Sequence, residues 1–265
     1  MAAEQEIGSA VARTIASSTA AGKALVVLNS FTASCVGYGV SELASRSGLP
    51  KSTAFRLLAL LVEHGYVLRI GDRYFLADRM FALGNQVGAC RPDGLRDRAI
   101  PYMVDLHAET RETVHLAILH NTEVLYIEKI FGHTSTACDT SVGGRRPLHS
   151  TALGKVLLAY AERDTVAALF SKPLERFTCY TVFEAGRLDA ALRRVREDEV
   201  ATDFEEGQLG LSCIAMPVRD PATGGVIAAM SMTSTTLRGD VRRFSSRLRR
   251  VTSALSAHLT PRTAV

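Results

Sequence analysis

Lys51, Ser52, Thr53 and Arg56 crowd into six residues directly behind Gly48-Leu49-Pro50. A guanidinium presents a planar fork of donors that matches O6 and N7 of guanine, and small hydroxyls suit phosphate oxygens or either base. Gathered on the first half of a helix, such residues have the chemistry of base-edge reading in a DNA major groove. Arg69 and Arg73 stand on either side of a Gly71-Asp72 turn. There they can add cations against an adjacent phosphate backbone.

A second dense stretch runs Gly143-Gly-Arg-Arg-Pro-Leu-His-Ser-Thr-Ala-Leu-Gly-Lys155. Ser150 or Thr151 can cap a helix whose first amides have no partner within the helix, and such amides bind anions. Gly154 permits a close approach. A loop and cap that serve only the fold account for these residues equally well. Val156 follows Lys155 and Gly144 lies too far from Gly154, so this is not the G-x-x-x-x-G-K-[ST] phosphate loop and no nucleotide is expected. A third cluster spans Asp203 to Val218 and includes Cys213, for which a buried structural thiol is the usual fate. Ser231 and Thr233 share one face of a strand by alternation and can line a polar pocket.

His107, His115, His120, His133 and His149 invite a catalytic reading. There is no H-E-x-x-H helix pair and no G-x-S-x-G elbow. A Cys213–His pair needs only to meet in space, and a Cys213 with no His in reach would dispose of it. The five cysteines lie far apart with none at C-x-x-C spacing, which points to a reduced, cytoplasmic chain with no metal and no cofactor.

The elements that must position these residues follow from spacing. The first 20 residues read as a tail. Ala24–Leu28 is helical and ends at Asn29-Ser30, and Phe31–Gly39 reads as a loop. Ser41 stands where an N-cap belongs, ahead of a helix from Glu42 to Ser47 that Gly48 stops. Pro50 opens a helix that runs to about His64. Leu43, Leu49, Leu57, Leu58 and Leu61 supply a shared core, and Ala44 lets the two helices approach. Tyr66–Ile70 and Arg73–Leu76 make a hairpin. Residues 79–84 start a connection. Arg96–Thr110 is a helix despite Pro101 near its start. Val114–Leu119 with Val124–Ile130, and Ile214–Val218 with Val226–Thr233, are strand pairs. Gly143–Pro147 is a loop, and Ser150–Tyr160 and Leu188–Glu199 are helices. This order predicts an antiparallel or mixed sheet with helices packed on it, the α+β class.

The chain has 265 residues, 47% hydrophobic and 22% charged, an ordinary globular composition. No apolar run approaches a membrane span, and the N-terminus does not read as a secretory signal. Charge is uneven: residues 1–90 carry +2, residues 91–237 carry −4 and residues 238–265 carry +6. The terminal excess sits with Val241, Phe244, Leu248, Val251 and Leu255 at helical spacing. A solvated amphipathic surface helix is the expectation there, ahead of a DNA-binding arm. The acidic middle confines any DNA contact to one local module.

Together these residues resemble the IclR family of bacterial transcriptional regulators. Three stretches carry the resemblance: Leu49-Pro-Lys-Ser-Thr-Ala-Phe-Arg-Leu-Leu58 with Glu63-His-Gly-Tyr66, Gly144 to Lys155, and Gly210-Leu-Ser-Cys-Ile-Ala-Met-Pro-Val218. The resemblance implies an N-terminal winged helix-turn-helix over 21–84 and a linker helix region over 85–110, the transmitter. A GAF-like mixed α/β effector-binding domain would follow over 111–260. It implies dimers, often paired into tetramers, on palindromic double-stranded operators, with no membrane partner. A small carboxylic acid would place its carboxylate at the amides of Ala152 and Leu153, with Gly154 shaping the turn. Asp203, Cys213, Ser231 and Thr233 match positions lining the same pocket, and Leu211 would supply apolar wall. The expected protein is a catabolic-operon regulator, a repressor by family habit. The rivals are a ligand-independent DNA-binding repressor and an enzyme using Cys213.

Overall fold

The computed structural model describes residues 19–32, 37–91, 93–132 and 138–259. Nearly all of the expected tail, Cys35, Pro92 and His133 lie outside the described residues. The chain divides into two compact units, one up to Val87 and one from Gly88.

The first unit holds α1 (Ala20–Asn29), β1 (Tyr38–Gly39), α2 (Val40–Ser47), α3 (Lys51–Glu63), β2 (Val67–Ile70), β3 (Arg73–Leu76) and α4 (Asp78–Gly84). α1 starts earlier than its apolar run suggests, because the Thr19 hydroxyl accepts a hydrogen bond from the Gly22 amide at 3.2 Å. The sharp turn between α2 and α3 uses Gly48 at φ +66°, a conformation that costs glycine little. Three expectations fail here. Ser41 is not an N-cap: α2 begins at Val40 behind Gly39, with no side-chain cap. Gly39 is still paired with Arg73 of β3, so a strand, not a capping hydroxyl, delivers the chain to the helix. Likewise the Phe31–Gly39 loop contains β1, and residues 79–84 are helical. Leu43, Leu57, Leu58 and Leu61 are buried with Val27, Tyr38, Val67 and Tyr74, and Leu49 packs against them.

The second unit is a six-stranded antiparallel sheet in the order β6-β5-β4-β9-β8-β7. Its strands are β4 (Thr113–His120), β5 (Glu123–Ile130), β6 (Arg145–Pro147), β7 (Ala201–Phe204), β8 (Leu211–Arg219) and β9 (Val226–Thr235). The helices are α5 (Leu95–Thr110), α6 (Ala152–Ala159), α7 (Arg163–Phe170), α8 (Ala185–Asp198) and α9 (Ser245–His258). One sheet face buries Leu116, Ile214, Met216, Met230 and Met232 against Ala99, Met103 and Leu106 of α5 and Leu248, Val251 and Leu255 of α9. The other packs Ala117, Val124, Tyr126, Ala215 and Ala229 against α6 and α8. The helix expected as a linker is therefore part of this unit's core. The Gly143–Pro147 loop contains edge strand β6, where Pro147 needs no donor. Strand β7 and helix α7 were not foreseen.

The basic C-terminal segment is a 3₁₀ turn (Val241–Phe244) followed by α9. Its arginines meet acidic partners: Arg238 with Glu112 at 2.9 Å, Arg249 with Glu199 at 3.6 Å and Arg250 with Glu109 at 2.6 Å. Local carboxylates thus offset much of its excess charge.

Candidate functional site

The first site is the start of α3. Pro50 precedes it without a side-chain cap, and the first turn has no acidic residue, so the positive end of the helix is not neutralised locally. Lys51, Ser52 and Arg56 are exposed and Thr53 is half-buried, while Ala54, Leu57, Leu58 and Leu61 turn inward. The sequence expectation thus comes together on one outward face. The wing arginines do not. Arg69 stands opposite Tyr74, and Arg73 opposite Ile70, so the two project from opposite faces of the ribbon. Arg69 lies over the Tyr74 ring with its charge exposed. Arg73 reaches the Gly37 carbonyl at 3.3 Å and Glu42 at 3.9 Å, which ties it to its own domain.

The second site is the start of α6. Thr151 is the N-cap: its hydroxyl accepts from the Gly154 amide at 3.0 Å and donates to the Pro147 carbonyl at 3.2 Å. That leaves Ala152 and Leu153 as the first two helical residues, whose amides have no intrahelical acceptor. All eight residues of α6 are buried. Gly154 is required by packing: a Cβ there would lie 2.2 Å from the Leu148 carbonyl oxygen and 2.5 Å from its Cα.

The sheet brings a polar row to this helix. Asp203 pairs with Cys213, and Cys213 with Thr233, so all three share the face that α6 covers. Ser231 follows by alternation from Thr233, and Leu211 from Cys213; both are buried. Gly207 links row and helix, because a Cβ at that position would sit 3.0 Å from the Ser150 carbonyl and 3.9 Å from Asp203 Oδ2. Asp203 Oδ1 accepts from the Glu206 amide at 2.7 Å. Burial raises the Asp203 carboxyl to about 7. It can therefore accept or donate a hydrogen bond near neutrality.

Sequence reasoning missed how the row continues. Cys213 Sγ lies 3.2 Å from Thr233 Oγ1, which lies 3.5 Å from His115 Nδ1, and His115 Nε2 lies 2.9 Å from Thr140 Oγ1. The His115 ring meets Tyr126 edge-on at 5.3 Å. The available signal was alternation along β4, which sets His115 opposite in sense to Val114 and Leu116. Lys155, one turn into α6, is also buried; it pairs with Glu206 and donates to the Thr202 carbonyl at 3.2 Å. As for nucleophilic chemistry, Thr233 stands between Cys213 and the His115 imidazole. Burial holds the Cys213 thiol well above its ordinary range and, with Lys129 adding to it, lowers His115 to about 3. Both groups are neutral at pH 7, so they form no thiolate–imidazolium pair.

A winged helix-turn-helix with an exposed cationic helix face, carried on one chain with a mixed α/β unit, defines a DNA-binding transcriptional regulator. The match to known families is specific. The IclR helix-turn-helix model covers residues 20–71, and the model of the IclR C-terminal domain of bacterial transcriptional regulators covers residues 89–257. The chain belongs to the IclR family. It is 38% identical over 203 residues to the HTH-type transcriptional regulator KdgR of Dickeya chrysanthemi, a match spanning 76% of this chain and 66% of that protein. It is 33% identical over 244 residues to the HTH-type transcriptional regulator XynR of Escherichia coli (strain K12), spanning 89% and 95%. A crystal structure of an IclR homologue from Microbacterium hydrocarbonoxydans, complexed with 4-hydroxybenzoate, superposes with a TM-score of 0.84 at 28% identity, covering 91% of this chain and 99% of that one. Among the described residues no helix is long and apolar enough to cross a membrane.

Proposed function

We propose that this regulator binds a palindromic operator through α3, as a dimer or dimer of dimers in the cytoplasm, and that a small carboxylic acid modulates this binding, with repression of a catabolic operon as the output. The observation that carries the reading is the Thr151 cap. It occupies the Gly154 amide and leaves those of Ala152 and Leu153 for a carboxylate, beside Asp203, Cys213, Ser231 and Thr233. An anion at a buried helix N-terminus gains from both the bare donors and the helix dipole. Asp203 then favours a ligand bearing a hydroxyl. The 4-hydroxybenzoate bound by the Microbacterium homologue, a hydroxylated carboxylate, is consistent with this chemistry. Regulation requires that the acid bind the DNA-competent and DNA-incompetent states with different affinity. Helix α5 is the proposed transmitter.

The test is salt-dependent binding of the purified protein to the DNA upstream of its own gene, with and without a panel of small carboxylic acids. One acid is expected to shift specific binding. Ser231→Ala with Thr233→Ala should weaken that response and leave basal DNA affinity intact. Identical titrations for variant and parent would refute the pocket.

A further inference from the structure

We propose that Phe55 is a base-reading side chain, whose ring packs on the 5-methyl group of a thymine in the major groove, next to the base pair that Arg56 addresses. This rests on the reading of α3 as the DNA-contacting helix. Phe55 is 48% exposed, in a helix whose Ala54, Leu57, Leu58 and Leu61 form the buried stripe. It lies one turn after Lys51 and Ser52 and next to Arg56, all exposed, which places it amid the cationic face and not at its edge. Among the described residues no aromatic ring or cation stacks on it.

The chemistry of that face selects the partner. An apolar ring ringed by Lys51, Arg56 and the unneutralised positive end of α3 suits a polyanion that carries a small apolar feature within reach of its charges. In the DNA major groove that feature is the thymine methyl, which apolar side chains contact, while arginine takes O6 and N7 of guanine. Successive residues of a helix diverge by about 100° around its axis, so Phe55 and Arg56 address neighbouring base pairs. The half-site should therefore contain a guanine whose neighbouring pair presents a thymine.

The first arm of the experiment leaves the protein unchanged. Duplexes selected from a random pool by the full-length protein are resynthesised with deoxyuridine replacing one thymine at a time, which deletes only the methyl. One position per half-site is expected to lose about fourfold in affinity, which is what ~0.8 kcal/mol for one buried methyl amounts to at ~1.4 kcal/mol per tenfold. In Phe55→Ala, with an unchanged unfolding midpoint, the same replacement should cost nothing. If no uracil duplex binds more weakly while Arg56→Ala does lose affinity, α3 reads DNA without Phe55 and the proposal is overturned. A uracil penalty equal in wild type and Phe55→Ala assigns the methyl to another side chain and also overturns it. If Arg56→Ala binds the selected duplexes as tightly as wild type, the reading of α3 fails and takes the proposal with it.

Discussion

Helices α3 and α6 use the same device in opposite surroundings. Each begins with amides that lack intrahelical partners. On α3 the start is uncapped by any side chain, exposed and cationic. On α6 it is capped by Thr151, wholly buried and faced by a row of hydroxyls, a thiol and a carboxyl. The exposed start suits a polyanion too large to enclose, where several cations act through water and salt weakens the grip. The buried start suits a small anion that must be desolvated and matched group by group. The difference lies in what surrounds the helix and not in the helix itself. Lys51, Ser52 and Arg56 on α3 point at solvent, whereas the side chains of α6 are buried around its start.

The most direct way to break the comparison is at Lys155. It and Glu206 are 4% and 7% exposed and pair in the interior. Lys155→Met should cost about 3–5 kcal/mol, because it strands a buried carboxylate, whereas Lys155→Met with Glu206→Leu should recover most of the loss. Urea unfolding of the full chain measures both, and equal destabilisation in the single and paired variants would show that the pair does not act as a unit. Next comes Arg56→Ala, expected to weaken operator binding by roughly 1–3 kcal/mol and to relax base preference at one position. Its unfolding midpoint should not move, in contrast to Lys155→Met. A folded variant with unchanged operator affinity would remove Arg56 from the interface.

The smallest effect, per unit of the variable changed, is the pH response of the polar row that faces α6. The folded Asp203 carboxyl is raised to about 7 from an ordinary 3.8, so its contribution is fully present below about 4 and is lost as pH rises through 7. His115 works in the other sense: lowered to about 3 from 6.5, it contributes fully above 6.5 and loses this as pH falls towards 3. Relative to Asp203→Asn, the wild type should lose stability between pH 4 and 7 with a slope below ~1.4 kcal/mol per pH unit, the ceiling for one proton. Parallel stability curves would show that Asp203 titrates normally.

Helix α3 was legible because its evidence is local. Gly48, Pro50, Gly65 and the Leu43–Leu61 periodicity act over one or two turns, and the observed boundaries of α3 differ from the expected ones by about a residue. Short strands were not legible. β1, β6 and β7 run two to four residues, too few to establish alternation, and neighbouring strands define them. The misplaced cap at Ser41 has the same origin, since β3, more than thirty residues away, holds Gly39. At α6, an anion-binding turn was readable only as one of two open alternatives. That Thr151, not Ser150, is the cap was not.

His115 and Lys155 were harder still. Histidine is scattered along the chain with no spacing to single one out, and a lysine in a polar motif is expected in water. His115 reaches Thr233 across 118 residues, and Lys155 reaches Glu206 across 51. By itself the sequence determined the winged helix, the strand faces and the capped turn, because these depend on side-chain periods of 3.6 and 2 and on glycine and proline at fixed offsets. Only the tertiary structure decided which polar groups share one buried face, which arginines carboxylates hold, and which lysine is taken out of water. Those outcomes depend on antiparallel register between strands far apart in the chain, and no local rule encodes that register.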